Sequence, residues 1–390
     1  MDNNMIEWTE FKISDIGTVV GGATPSTKNK KNYENGDIPW ITPKDLSTFH
    51  GRYIRGGERN ITKEGFDSCS TKLLPKNTVL FSSRAPIGYV AIAANEMCTN
   101  QGFKSVIPNK NIDSLFLYYL LKFNKDKIEG MGSGTTFKEI SGNAMKNIKV
   151  CIPLDIKEQK KIAKILGNID DKIEKNREIN NNLEQQAQAI YQRMFIDNAS
   201  SDWEEGTLSD IADITMGQSP SGSSYNEDGN GTIFFQGRAE FGFRFPTVRL
   251  YTTEPKRMAC TNDTLMSVRA PVGDLNVAHT DCCIGRGLAA IHSKNNHQSF
   301  VLYTMFSLKK QLDVFNGEGT VFGSINRISL NDMPLIIPSS DKLDEFEALV
   351  VPMDAAIRNN YDEICRLEQL RDSLLPKLMS GELDVSDIEL

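Results

Sequence analysis

Residues 162–194 read IAKILGNIDDKIEKNREINNNLEQQAQAIYQRM. In this stretch Ile162, Leu166, Ile169, Ile173, Asn176, Asn180, Leu183, Ala187, Ile190 and Met194 follow one another at alternating steps of four and three. That spacing is a heptad seam on an otherwise polar helix. It returns 184 positions later in residues 346–378, where Phe346, Val350, Met353, Ile357, Asn360, Ile364, Leu367, Arg371, Leu374 and Leu378 occupy the matching places. Two narrow seams in one chain can cover each other. The sequence therefore predicts that the helices pair antiparallel as a coiled coil, with one domain at each end. Asparagines in a seam lower stability and fix register, and Asn180 opposite Asn360 is the register they suggest. Asp155 with Glu158 resembles a capping box. Pro352, matched by Asn168 beside Gly167, predicts a bend or restart. Uninterrupted arms would then run near 169–195 and 353–379, each ~40 Å long at 1.5 Å per residue.

Outward from the helices, the chain is duplicated. Trp8, Ser14-Asp15-Ile16, Gly22 and Pro25-Ser26 recur 195 positions later as Trp203, Ser209-Asp210-Ile211, Gly217 and Pro220-Ser221. At an offset of 185, Ser82, Arg84-Ala85-Pro86 and Gly88 return as Ser267, Arg269-Ala270-Pro271 and Gly273, and Ile140 and Pro153 as Ile325 and Pro338. Two long copies exclude a short-period solenoid. Each copy opens with a mixed segment in which short β-like runs (Thr78–Phe81, Ile148–Ile152) alternate with Gly/Pro/Asn turns and one helical stretch, Leu115–Phe123. The expected organisation is a domain over 1–154, a helix over 155–196, a domain over 197–339, a helix over 340–380 and a tail over 381–390. The fold class is α+β: two mixed α/β domains in pseudo-two-fold arrangement, separated by the two long helices.

The 390 residues carry 44 Lys and Arg against 51 Asp and Glu, a net charge of -7, but the halves differ. Residues 1–195 hold 28 basic and 22 acidic side chains, residues 196–390 hold 16 and 29. The first half can meet an anion; the acidic C-terminal segment suits a protein partner. There is no 18-residue apolar run and no signal-peptide pattern at the N-terminus, so the sequence predicts a cytoplasmic chain with no membrane partner. Seven cysteines make no C-x-x-C pair, and no histidine falls at metal-ligand spacing from them, which predicts reduced thiols and no metal site. No G-x-S-x-G, H-E-x-x-H, Walker lysine or Asn-Pro-Pro-Tyr motif is present, so no catalytic residue is assigned.

The informative chemistry lies where the copies diverge. Residues 45–78 and 240–263 differ in sequence and length, yet both interleave arginine with aromatic residues or glycine: Arg52, Arg55 and Arg59 in one, Arg244 and Arg249 in the other. Arginine bonds guanine edges bidentately, so Arg52 or Arg55 is expected to read bases, and Arg59, Arg244 and Arg249 join the candidates. Arg84 and Arg269 occupy matched positions, which favours phosphate contact or support of the fold. Gln101 and Arg286 align but differ in type, as a reading position would. Thr135 and Thr320 belong to matched Gly-rich turns whose amides suit a DNA phosphate. Lys44, Lys104, Lys138, Gln236, Arg238 and Arg327 complete the candidate DNA-contacting set.

Taken together the chain resembles the specificity subunits of type I restriction–modification systems. The resemblance covers essentially the whole chain. It rests on the alternation of domains and helices and on four phrases: Trp8 with Ile13-Ser14-Asp15-Ile16-Gly17, Ser82–Gly88, Ile148–Pro153 leading into Glu158-Gln159-Lys160-Lys161-Ile162, and Leu374–Leu383. It implies two target-recognition domains, each reading half of a bipartite double-stranded DNA site. It also implies two modification subunits that bind S-adenosylmethionine and methylate adenine, and restriction subunits that use ATP and Mg. This chain would hold none of those cofactors and would itself be non-catalytic. Two other readings stay open in the sequence: a specificity subunit for a fused methylase–nuclease of the type IIB kind, and a coiled-coil adaptor that binds no DNA.

Overall fold

The computed structural model describes residues 7–84, 86–133, 138–317, 323–386 and 388. The chain divides into two compact units, Met1–Glu178 with Tyr361–Leu390, and Ile179–Asn360.

In the first unit the strand Val79–Ser83 is buried at all five positions, and such a continuous run belongs in the middle of a sheet. The sheet runs Gly17–Gly21, Lys104–Pro108, Val79–Ser83, Ile87–Ala93, Tyr53–Ile54. Only its last pairing is parallel. A second sheet holds Arg59–Ile61, Ile38–Ile41 and Cys98–Thr99, and Trp8–Lys12 pairs antiparallel with Lys149–Pro153. The helix Ser114–Phe123 starts where the Asp113 carboxylate accepts the Phe116 amide at 2.9 Å, and buries every residue from Phe116 to Leu121. Being apolar all round, it sits inside the main cluster with Phe81, Ile92 and Val106.

The C-terminal residues close that same cluster. Leu378, Met379 and Val385 are buried in it, and Lys161 Nζ donates to the Ser386 carbonyl at 2.7 Å. Gly381 turns the chain at φ +78°, and a Cβ there would lie 2.5 Å from Trp8 Nε1, so both the left-handed turn and the contact call for glycine.

The second unit repeats the frame. Ala212–Met216, Leu288–Ser293, Thr264–Ser267 and Leu275–Val277 form a sheet in the order of the first four strands above, and Glu204–Thr207 pairs with Pro334–Ile337. The buried helix Gln298–Ser307 stands for Ser114–Phe123. Phe195 packs on Phe300 and Phe346, with ring centroids at 5.0 and 5.2 Å.

The long helices run Ile156–Tyr191 and Ser340–Ser380. The restart expected at Gly167-Asn168 and at Pro352 does not occur; both helices continue through it. At Gly167 the reason is close packing, since a Cβ there would lie 3.1 Å from Arg52 Nη1 and 3.2 Å from Leu115 Cδ2. Around Pro352, the buried Phe346, Val350 and Ile357 hold the helix despite the lost hydrogen bond. Nor does the capping box close. The Asp155 carboxylate accepts the Lys157 amide at 2.8 Å, and the Glu158 carboxylate pairs with Lys161 at 3.3 Å. The first seam also loses phase at its end. Gln192–Asp197 is a π-helical turn, whose wider spacing brings Phe195 rather than Met194 inward.

Within each unit a segment of one helix lies antiparallel to a segment of the other. In the first unit Arg371 meets Asp170 at 2.9 Å and Asn176 meets Glu363 at 2.7 Å. In the second, Asn360 Nδ2 donates to Asn180 Oδ1 at 2.8 Å, while Asn180 Nδ2 donates to the Ile357 carbonyl at 3.2 Å. The register read from the seam asparagines is the one observed.

Candidate nucleic-acid interface

The candidate residues separate into two groups by burial. Arg52 and Arg244 are 5% and 4% exposed and face the long helices. Arg52 Nη2 pairs with the Asp171 carboxylate, Nε with Glu174 Oε1 at 3.2 Å, and Nη1 donates to the Gly167 carbonyl at 3.2 Å. Arg244 places Nη1 3.3 Å from Asp354 and Nη2 3.1 Å from Glu184, and donates from Nη2 to the Tyr303 hydroxyl at 3.0 Å. Burial opposes the Arg52 charge, but Tyr119, Glu174 and Asp171 outweigh it and raise its pKa. Arg244 is raised in the same way by Tyr303, Asp354 and Glu184, again against burial. The expectation that these two arginines contact DNA is therefore corrected. A buried guanidinium needs its carboxylates, and the helices supply them.

The two arginines are one position of the fold. The Arg52 carbonyl accepts the Ile92 amide at 2.7 Å, and the Arg244 carbonyl accepts the Val277 amide at 2.8 Å, Ile92 and Val277 being 185 residues apart. Each arginine precedes an aromatic residue, Tyr53 or Phe245. Their separation of 192 matches neither neighbouring offset, which hides the equivalence in the sequence.

The other candidates stay near the surface. Arg55 and Arg59 are exposed; Lys44 is exposed and paired with Glu58 at 2.8 Å. Arg238 pairs with Asp274 at 2.8 Å and Arg249 with Glu240 at 3.1 Å. Lys138, Gln236 and Arg327 are exposed. Thr135 and Thr320 lie outside the described residues.

Two matched clusters gather the rest. In the first unit Glu139 bridges the cations: Arg84 Nη1 at 3.9 Å and Lys104 Nζ at 3.6 Å. The Thr24 hydroxyl bonds the Gln101 side-chain carbonyl. In the second unit Arg269 and Arg286 line one open cavity of about 540 Å³ with Met216, Gly323 and Ser324. The Arg286 amide donates to Ser219 Oγ at 3.3 Å, the place of the Thr24–Gln101 contact. Ser324 stands where the first copy has Glu139, and Ala289 where it has Lys104. Arg84 and Arg269 also bridge by backbone to these same residues, Glu139 and Ser324. One cluster is thus partly neutralised by its glutamate, while among the described residues no carboxylate pairs with the two arginines beside the other's open cavity. Among the described residues, no group of three or more His, Cys, Asp or Glu is placed to hold a metal. No helix among them is long and apolar enough to cross a membrane.

The residues that sequence reasoning missed are Asp170, Asp354, Tyr119, Tyr303 and Arg358. The Asp pair was visible as a repeat at offset 184, but its burial was not.

Comparison with known proteins settles the family. The profile described as type I restriction modification DNA specificity domain matches residues 5–185 and 200–345, one stretch in each copy. The chain belongs to that family. The type I restriction enzyme MjaIX specificity subunit of Methanocaldococcus jannaschii is 34% identical over 418 residues, covering 98% of this chain and 95% of that protein. The putative type I restriction enzyme MjaX specificity subunit of the same organism is 31% identical over 419 residues, covering 97% and 94%. In structure, the type I restriction–modification S subunit from M. genitalium aligns with a TM-score of 0.61 at 18% identity, over 97% of this chain and 98% of that one, a likeness of fold.

Proposed function

We infer that the chain is the DNA-specificity subunit of a type I restriction–modification complex, in which each domain reads one half of a bipartite site. The observation that carries this reading is the pairing of one repeated frame with two unrelated outer segments, 45–78 and 240–263, both matched by the specificity-domain profile. A shared frame presents each domain to DNA in the same way, and the unlike segments let the halves differ in sequence.

Arg55, Arg59 and Gln101 in the first copy, and Arg286 and Gln236 in the second, are the side chains proposed for base edges. Arg84 and Arg269 are proposed for phosphates. The long helices act as an antiparallel coiled coil that sets the spacing between half-sites and docks two modification subunits. Those partners supply S-adenosylmethionine and adenine methylation, and restriction subunits supply ATP- and Mg-dependent cleavage.

The test is the methylated motif of a strain expressing the complete system. Replacing residues 1–154 with the matching domain of a relative should change one half of the motif and leave the other half and the spacing alone. A motif changed in both halves, or in neither, overturns the modular reading.

A further inference from the structure

Gln101 and Arg286 are clamped at one point of the shared frame by the same backbone bonds. On one side of Gln101 the Asn100 amide donates to the Ile41 carbonyl at 2.9 Å, and on the other the Gly102 carbonyl accepts the Ser83 amide at 2.7 Å. Around Arg286 the Gly285 amide donates to the Phe235 carbonyl at 2.8 Å, and the Gly287 carbonyl accepts the Val268 amide at 2.9 Å. Ser83 and Val268 directly precede Arg84 and Arg269, so each clamp ties its turn to the matched arginine beside it. A third contact presses a loop onto each turn. A Cβ at Gly22 would collide with the Asn100 carbonyl oxygen, and one at Gly217 with the Gly285 carbonyl oxygen, so this close approach calls for glycine in both copies. The backbone is thus held alike, while the two side chains it carries are exposed and differ in kind.

Given the DNA-specificity function inferred above, we propose that this point is a base-reading position at which Gln101 takes an adenine in the first half-site and Arg286 a guanine in the second. In the major groove adenine offers N7 as an acceptor and its N6 amino group as a donor, whereas guanine offers two acceptors, N7 and O6. A glutamine amide matches adenine, with Nε2 donating to N7 and Oε1 accepting from N6. The Thr24 hydroxyl already donates to Gln101 Oε1, which orients the amide and leaves the second lone pair of that oxygen for N6. A guanidinium carries donors only, and its fork matches guanine. Each side chain also rejects the other's base. Gln101 would set its carbonyl oxygen against guanine O6, and Arg286 would set an N–H against the adenine amino group. Gly285 and Gly287 flank Arg286 without side chains of their own, so the turn can come close to a groove.

The test uses the complete complex, with the wild-type site fixed by its methylated motif and its base pairs then varied singly in duplex-binding competition. The first half-site must hold an A·T pair besides the methylated one, because a methyltransferase takes its target base out of the stack. The second must hold a G·C pair. A motif lacking either overturns the proposal. Gln101→Ala should reduce the preference at one A·T pair of the first half by about tenfold or more and leave the other pairs alone, and Arg286→Ala should do the same at one G·C pair of the second. Gln101→Arg should then favour guanine over adenine at the pair that Gln101→Ala affects, and Arg286→Gln the reverse at its own. Both side chains are exposed, so the unfolding transitions should stay at the wild-type position. Even weakening at every pair, or lost preference at a pair of the other kind, overturns this assignment and leaves the modular reading standing. That reading fails separately, if exchange of residues 1–154 changes both halves of the motif or neither.

Discussion

Asp170 and Asp354 stand at the same point of the repeat, and the chain surrounds them with different neighbours. Both accept a hydrogen bond from a buried tyrosine, Tyr119 at 2.6 Å and Tyr303 at 2.9 Å. Beyond that the copies part. Asp170 depends on the opposite helix for its cation, Asp354 on its own domain. Duplication thus preserved the shape of the junction while the charges were redistributed. What two copies must share is the hydroxyl and the carboxylate that fix the buried helix; where the arginine comes from is free to drift. The cost of losing an arginine should therefore differ between copies.

The largest expected effect follows directly. Arg244→Ala leaves Asp354 and Glu184 half-enclosed without a cation, and should cost ~3–5 kcal/mol in unfolding of the second unit. Arg52→Ala strands carboxylates that reach water, Asp171 with its side chain 65% exposed and Glu174 at 37%. It should cost only ~1–2 kcal/mol. Denaturant unfolding of both variants measures the contrast, and equal losses would break it.

Next in size is a difference at the two clusters proposed to meet DNA. Glu139 competes with any phosphate for Arg84 and Lys104, while among the described residues no carboxylate takes that place beside Arg269, where Ser324 stands. In the assembled complex, Arg269→Ala should weaken duplex binding by ~1–2 kcal/mol, lower its salt slope and act alike on all sequences. Arg84→Ala should do less, and Glu139→Gln should strengthen binding. A Glu139→Gln variant that binds more weakly would reverse the assignment.

The smallest effect concerns pH. Burial pushes the Glu347 carboxyl above its ordinary range, although the Phe300 amide at 2.8 Å opposes the rise. The matching residue of the first copy is Ala163. A carboxyl raised in the folded state binds its proton more tightly there than when unfolded. Its contribution to stability is present below the unfolded value near 4.5 and is lost as pH rises through the raised folded value. Glu347→Gln keeps an acceptor for the Phe300 amide, so it should flatten this part of the pH–stability curve and change little else. An unaltered curve would show that Glu347 does not set it.

Much of this was legible in the residues because its signals are local or periodic. The heptad steps placed both helices and the Asn180–Asn360 contact, and the matched phrases gave the duplicated frame. Gly167 misled because a glycine in a helix ordinarily weakens it; here tertiary packing of Arg52 and Leu115 explains it, and no propensity rule sees that. Arg52 and Arg244 misled for the opposite reason. Arginine beside aromatics in a divergent segment fits a groove, and only three-dimensional structure turns those side chains toward the helices. One clue was present. An Arg-aromatic step recurs in both divergent segments and an aspartate recurs in the helices, although only the second copy joins the two, Arg244 to Asp354, while Arg52 takes the neighbouring Asp171 and Glu174.

The discontinuity of the first unit has a consequence for biosynthesis. Its core needs Leu378, Met379 and Val385, and Trp8 must meet Gly381, so the copy that leaves the ribosome first cannot be finished until residues 378–385 have emerged. The second unit is one uninterrupted stretch, Ile179–Asn360, and has no such wait. The order of synthesis and the order of completion are therefore reversed: the N-terminal domain spends the time of about two hundred further residues with its cluster open, roughly 10–40 s at 5–20 residues per second.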